Sequence, residues 1–314
     1  MKSFLLVTSL ILISIQTSFP QISITPVANE KPEQAKPYDS LKNFLATEFL
    51  QYKGQELYLI PEAESLREYG YMGFLIDFNK SPYDKSNQFK CCDGFNSKYN
   101  DLAGKYFIVE DVFKDPKSSY SPDAFLKLKM KETGDILYYK YSSKFEHSFP
   151  FLVVGFYEKQ KKIFVNNDIL LRPWQKIEGA NQKKTIDIAT GEEIVIEKGK
   201  YYKCIDITID QKNFEPALLL QTEKGQKFLF PLYARFLNIQ RIMTKNEAET
   251  YRLKFGDENW QTILNEKVAI GFTEEMTKIA WGVPEKINKA SYGEQWVYSG
   301  QYLYFENGIL KSFN

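Results

Sequence analysis

The sequence predicts an α+β protein that is mostly β: two small antiparallel β modules of an open SH3-like type, followed by a C-terminal region of helices and then strands. Aromatic residues make up 16% of the 314 positions, and aromatic residues favour strands. Aliphatic and lysine side chains alternate in several segments, which is typical of sheets buried on one face. Helix-start signals, in contrast, are concentrated after Arg241.

The N-terminus has the pattern of a signal peptide. Lys2 is followed by an apolar run from Phe4 to Ile15, which is shorter than the about 20 residues that a membrane-spanning helix needs. We therefore expect a signal peptide at 1–23 and an extended linker at 24–40. A buried N-terminal helix is the alternative, and the prolines that follow argue against it. No cysteine lies near the expected cleavage site, which argues against a lipid anchor.

Charge and cysteine content narrow the class of protein. Lysine plus arginine (41) nearly balances aspartate plus glutamate (40), so nucleic acid is not an expected partner. No segment after the signal is long and apolar enough for a transmembrane helix.

The sequence has three cysteines, Cys91, Cys92 and Cys204, which is an odd number for an oxidising compartment. We expect buried or idle thiols in preference to a Cys91–Cys92 bridge or a bridge to Cys204.

The first element expected after the linker is a helix. Asp39 or Ser40 caps it, apolar residues between Leu41 and Tyr52 share one face, and Gly54 ends it. Strands are expected next, at 56–60 and 71–78.

An internal repeat is the most informative pattern in the chain. Residues 104–112 (GKYFIVEDV) resemble residues 199–207 (GKYYKCIDI), and each segment is followed by a strand, a glycine turn and another strand. The repeat predicts β modules at 41–170 and 171–243. Strand composition alone can produce such a match, so convergence is the alternative. Two further hairpins are expected, one joining 151–157 to 162–165 and one joining 185–188 to 193–197.

Cap and turn signals define the rest of the chain, a predicted domain at 244–314. Thr244 and Glu247 form a capping box, and Gly256 ends that helix. Two more helices are expected, at 258–264 and, capped by Thr273, at 274–281. Three strands follow, at 294–298, 301–306 and 309–313. Asn307-Gly308 predicts a type I′ turn between the last two strands, because both residues tolerate positive φ.

A recurrent pattern runs through these last elements: a glycine, a threonine that starts a helix, a Trp-Gly-x-Pro that ends it, an aromatic strand and a closing hairpin. Its segments are IGFTEEM (270–276), WGVP (281–284), EQWVY (294–298) and YLYFENG (302–308). The pattern resembles the SmpA/OmlA family, the small outer-membrane assembly lipoproteins known as BamE, over about 257–314. The motif residues, with structural roles, are Gly271, Thr273, Trp281, Gly282, Pro284, Trp296, Tyr298, Asn307 and Gly308.

This resemblance implies a BamE-like domain of two helices on a three-stranded antiparallel sheet, and outer-membrane or other envelope proteins as partners. Trp281 stands where the family has leucine, a change that keeps the apolar character. The missing lipid-attachment cysteine is the departure that bears on function, since the family's members are typically lipoproteins. The resemblance therefore supports an envelope role by analogy.

The sequence offers few groups for catalysis. His147 is the only histidine, so we expect it to be solvated or hydrogen-bonded and not a metal ligand. No nucleophile elbow, P-loop or dinucleotide fingerprint occurs in the sequence. We expect no cofactor and no enzymatic activity. A carboxylate-based hydrolase is the third hypothesis, after envelope interaction and glycan or peptide binding.

Two places are candidates for interaction. Trp174 would bind a sugar or a peptide if exposed, although packing between the two β modules is the commoner arrangement. In the last hairpin, a two-residue turn places Phe305 opposite Leu310 and Tyr304 opposite Lys311. The face away from the helices then carries Tyr302, Tyr304, Ile309 and Phe313. We expect the preceding β module to cover this face, with a docking surface for a partner as the alternative.

These patterns predict an exported, non-enzymatic interaction or assembly protein in the periplasm or at the outer-membrane periphery of a Gram-negative bacterium. A secreted or cell-surface protein that binds glycan or peptide is the alternative.

Export is testable on protein from the native host. N-terminal sequencing of the mature chain should begin between about Phe19 and Ile24, because the apolar run ends at Ile15 and signal peptidase cuts a few residues beyond such a run. An intact Met1 on the mature protein would contradict the expectation.

Overall fold

The computed structural model describes residues 37–115, 123–172, 184–210, 212, 214–232 and 241–314. Antiparallel strands dominate these residues, and the predicted mostly-β α+β class is confirmed. The strands are β1 (Glu56–Leu59), β2 (Phe74–Leu75), β3 (Cys91–Asp93), β4 (Asn96–Ser97), β5 (Tyr106–Lys114), β6 (Ala124–Met130), β7 (Ile136–Tyr141), β8 (Phe151–Val153), β9 (Asp168–Leu171), β10 (Tyr201–Asp210), β11 (Glu215–Gln221), β12 (Lys227–Pro231), β13 (Ile242–Thr244), β14 (Lys286–Ala290), β15 (Gly293–Tyr298), β16 (Gln301–Glu306) and β17 (Ile309–Phe313).

Helices are fewer. The α-helices are α1 (Tyr99–Leu102), α2 (Val154–Phe164), α3 (Lys245–Phe255), α4 (Asp257–Leu264) and α5 (Glu274–Trp281). Short 3-10 helices lie at Ala46–Tyr52, Glu64–Tyr69, Lys85–Asn87 and Glu146–Ser148. Among the residues described, no helix has the length and apolar character that spanning a membrane requires.

The first β unit, residues 46–153, is a sheet with the strand order β2-β7-β6-β5-β1-β8. Its strands alternate as the sequence predicts. In β6, Leu126, Leu128 and Met130 are buried while Lys129 is exposed, so one face of the sheet lines the core. The long connection from β1 to β5 carries β2, the β3–β4 hairpin and α1.

The second β unit, residues 154–244, repeats the pairing of the first. Its strand order is β12-β11-β10-β9-β13, and its strands correspond in turn to β7, β6, β5, β1 and β8. The registers agree as well: Leu57 lies opposite Phe107 and Val153, and Ile169 lies opposite Tyr202 and Thr244. The sequence repeat is therefore matched by a repeat of strand order and register.

A β-bulge falls at the same place in both copies. Pairing skips one residue between Val109 and Asp111 in β5 and between Cys204 and Asp206 in β10. The carboxylate of each bulge aspartate accepts a hydrogen bond from the next backbone N–H, at 3.0 and 2.8 Å. The same carboxylate forms an ion pair, at 2.9 Å, with a lysine at or near the end of the preceding helix. This lysine is Lys53 for Asp111 and Lys161 for Asp206. Each bulge is thus tied to the helix that precedes its sheet.

In each unit, the helix before the first strand is followed by a residue with a left-handed backbone conformation. This residue is Gly54 (φ +80°) in the first unit and Asn166 (φ +65°) in the second. The N–H of Gly54 donates to Val109 O at 2.8 Å, and that of Asn166 donates to Cys204 O at 2.9 Å. Cys204 therefore occupies the place of Val109, and both are fully buried. Burial raises the pKa of the Cys204 thiol to about 12, so the thiol stays neutral at physiological pH.

The C-terminal unit, residues 245–314, packs helices on a four-stranded sheet of order β14-β15-β16-β17. The capping box of Thr244 and Glu247 and the start of α5 after Thr273 are confirmed. The expected three-stranded sheet is wrong in its count, because β14 adds an edge strand. Its residues are exposed or at most half-buried, so no alternation of buried and exposed positions marks β14 in the sequence.

Two other expectations are wrong, and a third is confirmed only in part. The first helix is a 3-10 helix at Ala46–Tyr52 and begins later than expected. The hairpin expected from 151 to 165 is the short strand β8 followed by α2, whose Phe156, Gln160 and Phe164 are buried at helical spacing. Between 185 and 197 the expected antiparallel pairing is present as the single bridge Ile186–Glu193, but no strands form there.

The cysteines also differ from expectation. Cys91 and Cys92 are joined to each other by a disulfide, whereas unpaired thiols were expected. Cys204 is unpaired and buried, as expected.

The repeat can be tested at the left-handed position of the second unit. Asn166→Val should destabilise the protein by about 1–2 kcal/mol, because a β-branched residue is disfavoured at positive φ. Asn166→Gly installs the residue of the first unit and should change the stability by only a few tenths of a kcal/mol, measured by urea unfolding. If both variants unfold like the wild-type protein, residue 166 does not have the left-handed backbone described.

Candidate functional site

A buried arginine joins the second β unit to the C-terminal unit. Arg172 follows β9 and reaches the last turns of two helices. Its Nη1 donates to Ile279 O at 2.5 Å, and its Nη2 donates to Ala280 O at 3.0 Å and Ile263 O at 3.2 Å. The last carbonyls of a helix lack partners within the helix and carry partial negative charge, so a cation is favoured there. Burial lowers the pKa of Arg172 to about 9, and the side chain remains cationic at neutral pH.

A second arginine supports the first. Arg241 lies beside Arg172, whose N–H donates to Arg241 O at 2.9 Å. The Arg241 Nη1 donates to Arg172 O and forms an ion pair with the carboxylate of Glu266, just after α4. Both side chains of this pair are almost completely buried, and a buried pair of this kind is strongly destabilised by the loss of one partner. The second sheet and the C-terminal helices are therefore held in one arrangement.

The motif residues connect the end of α5 to the sheet. Gly282 has φ +88° and ends the helix. Its carbonyl accepts a hydrogen bond from the Tyr298 hydroxyl at 2.9 Å. The ring of Tyr298 packs edge-on against Trp281, 5.4 Å between centroids. The indole N–H of Trp281 donates to Glu266 O at 2.9 Å, and Pro284 is buried beyond the turn. These motif residues have structural roles. Trp281 also contacts Glu266, the residue that forms the ion pair with Arg241.

The closing hairpin is held against the start of α5. Asn307 and Gly308 both have positive φ, 51° and 75°, as a type I′ turn requires. The N–H of Gly271 donates to Leu310 O at 2.9 Å, and Thr273 bridges to Ile309. The segment 271–274 thus covers the outer edge of β17.

The inner face of the C-terminal sheet is a closed core. Trp296 is fully buried and packs 4.4 Å from Phe305, centroid to centroid. Leu303 and Leu310 are also fully buried, beneath helices α4 and α5. This face is therefore not available to a partner.

The outer face of the same sheet carries two cross-strand rows, which we call the tyrosine face: Lys286, Val297 and Tyr302 in one row, and Asn288, Gln295 and Tyr304 in the other. Hydrogen bonds fix the second row. The Asn288 amide donates to Gln295 Oε1 at 2.9 Å, and the Gln295 amide donates to the Tyr304 hydroxyl at 3.1 Å. Tyr302 and Tyr304 keep 40% and 37% of their surface exposed, so the expectation that the preceding β module covers this face is wrong.

The last hairpin confirms one predicted pair and corrects another. Phe305 lies opposite Leu310 as predicted, but a bulge places Tyr304 opposite Ser312 and not Lys311. The shift by one residue also places Phe313 opposite Leu303, and paired residues point to the same side of a sheet. Phe313, although 46% exposed, therefore does not belong to the tyrosine face. Ile309 pairs with Glu306 and lies at the margin of the tyrosine face.

A cleft lies where the second sheet meets α3 and α4. We call it the junction cleft; its volume is about 350 Å³. Leu170, Trp260 and Leu264 form its floor, and Lys198, Glu249, Arg252 and Gln261 form its rim. Residues from four elements and a loop line it, so no local sequence signal marked it.

The other sequence candidates do not join these surfaces. Trp174 lies outside the described residues. His147 is exposed, with its ring 5.5 Å from that of Phe145. In the described part of the chain, no three or more histidine, cysteine, aspartate or glutamate side chains are grouped so that they could hold a metal ion.

No protein-family model, no curated protein and no solved structure matches the chain.

Proposed function

We propose that this chain is an exported, non-enzymatic interaction protein of the bacterial cell envelope, and that it docks through the tyrosine face onto an outer-membrane protein. The observation that carries the proposal is the exposure of Tyr302 and Tyr304 on a sheet whose opposite face is closed by helices.

The tyrosine face has the chemistry of a protein-binding surface. Tyrosine is enriched at interfaces because it combines a large apolar ring with a hydrogen-bonding hydroxyl. The row Asn288–Gln295–Tyr304 is already ordered by two hydrogen bonds, so little side-chain entropy would be lost on binding. The neighbouring Val297 and Tyr302 offer apolar contact.

The fold likenesses expected from the sequence are part of this proposal. The order β12-β11-β10-β9-β13 places the first strand of the unit between the second and the fifth, which supports an open SH3-like barrel for each β unit. Helices α4 and α5 on an antiparallel sheet support a BamE-like C-terminal domain with one added edge strand.

Substitution on the tyrosine face separates docking from folding. Tyr302→Glu with Tyr304→Glu should abolish co-purification with the outer-membrane partner from the native host, because two carboxylates oppose desolvation at an interface. The melting temperature should stay within about 2 °C of wild type, since both side chains are exposed and surface changes rarely exceed about 0.5 kcal/mol.

The matched control is Tyr69→Glu with Tyr83→Glu, two exposed tyrosines of the first β unit (56% and 88%). This variant should co-purify as the wild-type protein does. Retention of the partner by the Tyr302/Tyr304 variant, or equal loss in the control, would contradict the proposal.

A further inference from the structure

The edges of the sheets differ in how their main-chain groups are satisfied. Four edge strands, β2, β8, β12 and β17, receive hydrogen bonds on their outer sides from residues 87–89, the Asn43 amide, residues 187–188 and residues 271–274, respectively. Strand β14 is an edge of the C-terminal sheet, and within the ranges that the structure describes no segment pairs with its outer side. Native proteins usually cover an edge, because unpaired main-chain groups accept another strand. The open edge of β14 is therefore a candidate for strand addition.

The register of β14 shows which of its main-chain groups point outward. A loop of two residues joins β14 to β15, and Ala290 lies opposite Gly293 across it. The pair that closes such a loop is hydrogen-bonded, and hydrogen-bonded pairs alternate with non-hydrogen-bonded pairs along an antiparallel ladder. The N–H and C=O groups of Ile287 and Lys289 therefore point away from β15. A strand added beside β14 would pair with these groups.

Apolar side chains along this edge are exposed. Ile287 lies opposite the buried Trp296, on the side of the sheet that the helices cover, yet 38% of its surface is exposed. Val283, before the strand, and Tyr292, in the loop after it, are 66% and 83% exposed. An added strand would cover apolar surface of this kind, which favours binding. The edge therefore offers apolar contact as well as main-chain hydrogen bonds.

The charges at this edge favour an acidic segment. Lys286 is exposed, and no carboxylate of the described residues forms an ion pair with it. Lys289 pairs with Glu294 at 2.8 Å, and Glu285, just before the strand, is exposed. A second copy of β14 would bring two more lysines to the same seam, and like charges on neighbouring strands oppose pairing. A carboxylate on the added strand would instead pair with Lys286.

We infer that β14 binds an extended, acidic segment of a partner protein as a fifth strand of the C-terminal sheet, with a carboxylate of that segment at Lys286. The inference rests on the proposed function, because an added strand would extend the tyrosine face on the side where Lys286 and Asn288 lie. In this mode of recognition, main-chain hydrogen bonds supply affinity and alternate side chains supply specificity. The segment therefore belongs to the same outer-membrane partner.

The test selects a phage-displayed library of random peptides, each of about ten residues, on the mature full-length protein. The selected peptides should combine aspartate or glutamate with alternating apolar residues. Lys289→Pro should weaken binding of a selected synthetic peptide by about tenfold or more in isothermal titration calorimetry. Proline removes the outward N–H of residue 289 and no hydrogen bond within the sheet. The matched control Lys289→Ala loses the same side chain but keeps the N–H, and it should bind within about threefold of wild type.

A second variant, Lys286→Glu, tests the site without a backbone change. Its side chain is exposed, so the melting profile should not change, and its affinity for the acidic peptide should fall by about tenfold. The inference is overturned if no peptide is enriched, if folded Lys289→Pro binds as tightly as Lys289→Ala, or if Lys286→Glu binds as wild type does. A wild-type dimer that Lys289→Pro dissociates would also overturn it, by assigning the edge to a second copy.

Failure of this inference is distinguishable from failure of the proposed function. If no peptide binds but the Tyr302/Tyr304 variant loses the outer-membrane partner, the docking proposal stands and the strand addition is wrong. If the Tyr302/Tyr304 variant keeps the partner, the docking proposal is wrong, whatever the peptides show.

Discussion

The arrangement of the second half of the molecule depends on one buried cation. Arg172 directly follows the strand β9 and donates to three carbonyls in the last turns of α4 and α5. A buried guanidinium is costly unless it is hydrogen-bonded, so this side chain favours the placement of the two helices that brings these carbonyls to its Nη1 and Nη2. The Arg241–Glu266 pair adds a second constraint of the same kind. The junction cleft and the direction of the tyrosine face both follow from this placement.

The sequence predicted an element correctly where interactions between neighbouring residues determine that element. Thr273 caps α5 and Gly282 ends it because both act through neighbouring backbone groups. The repeated GKY segments were recognisable because each copy preserves its residue pattern, and the structure shows that each copy also carries a bulge at the same place. Helix α2 was missed because Val153, Val154 and Phe156 have strand propensity, and packing of its buried face overrides that propensity. Strand β14 was missed because an exposed edge has no buried face to alternate.

The candidate surfaces were predictable only in part. Tyr302 and Tyr304 followed from a two-residue turn and the period of a strand, but the bulge after Tyr304 moved Phe313 off their face. A bulge has no reliable mark in a single sequence. Arg172 was visible in the sequence beside a proline and a tryptophan, yet its acceptor carbonyls lie 91 to 108 residues away. Such contacts, and the cleft between Leu170 and Trp260, exist only after folding.

In the proposed function, the two β units support the C-terminal unit, and the tyrosine face of that unit is the docking surface. Photocrosslinking tests this claim most directly. A benzoylphenylalanine at position 304 should crosslink to an outer-membrane protein in cells of the native host, while the same group at position 83, an 88% exposed tyrosine of the first unit, should not. Equal crosslinking at both positions, or none at 304 with the protein folded and exported, would contradict the account.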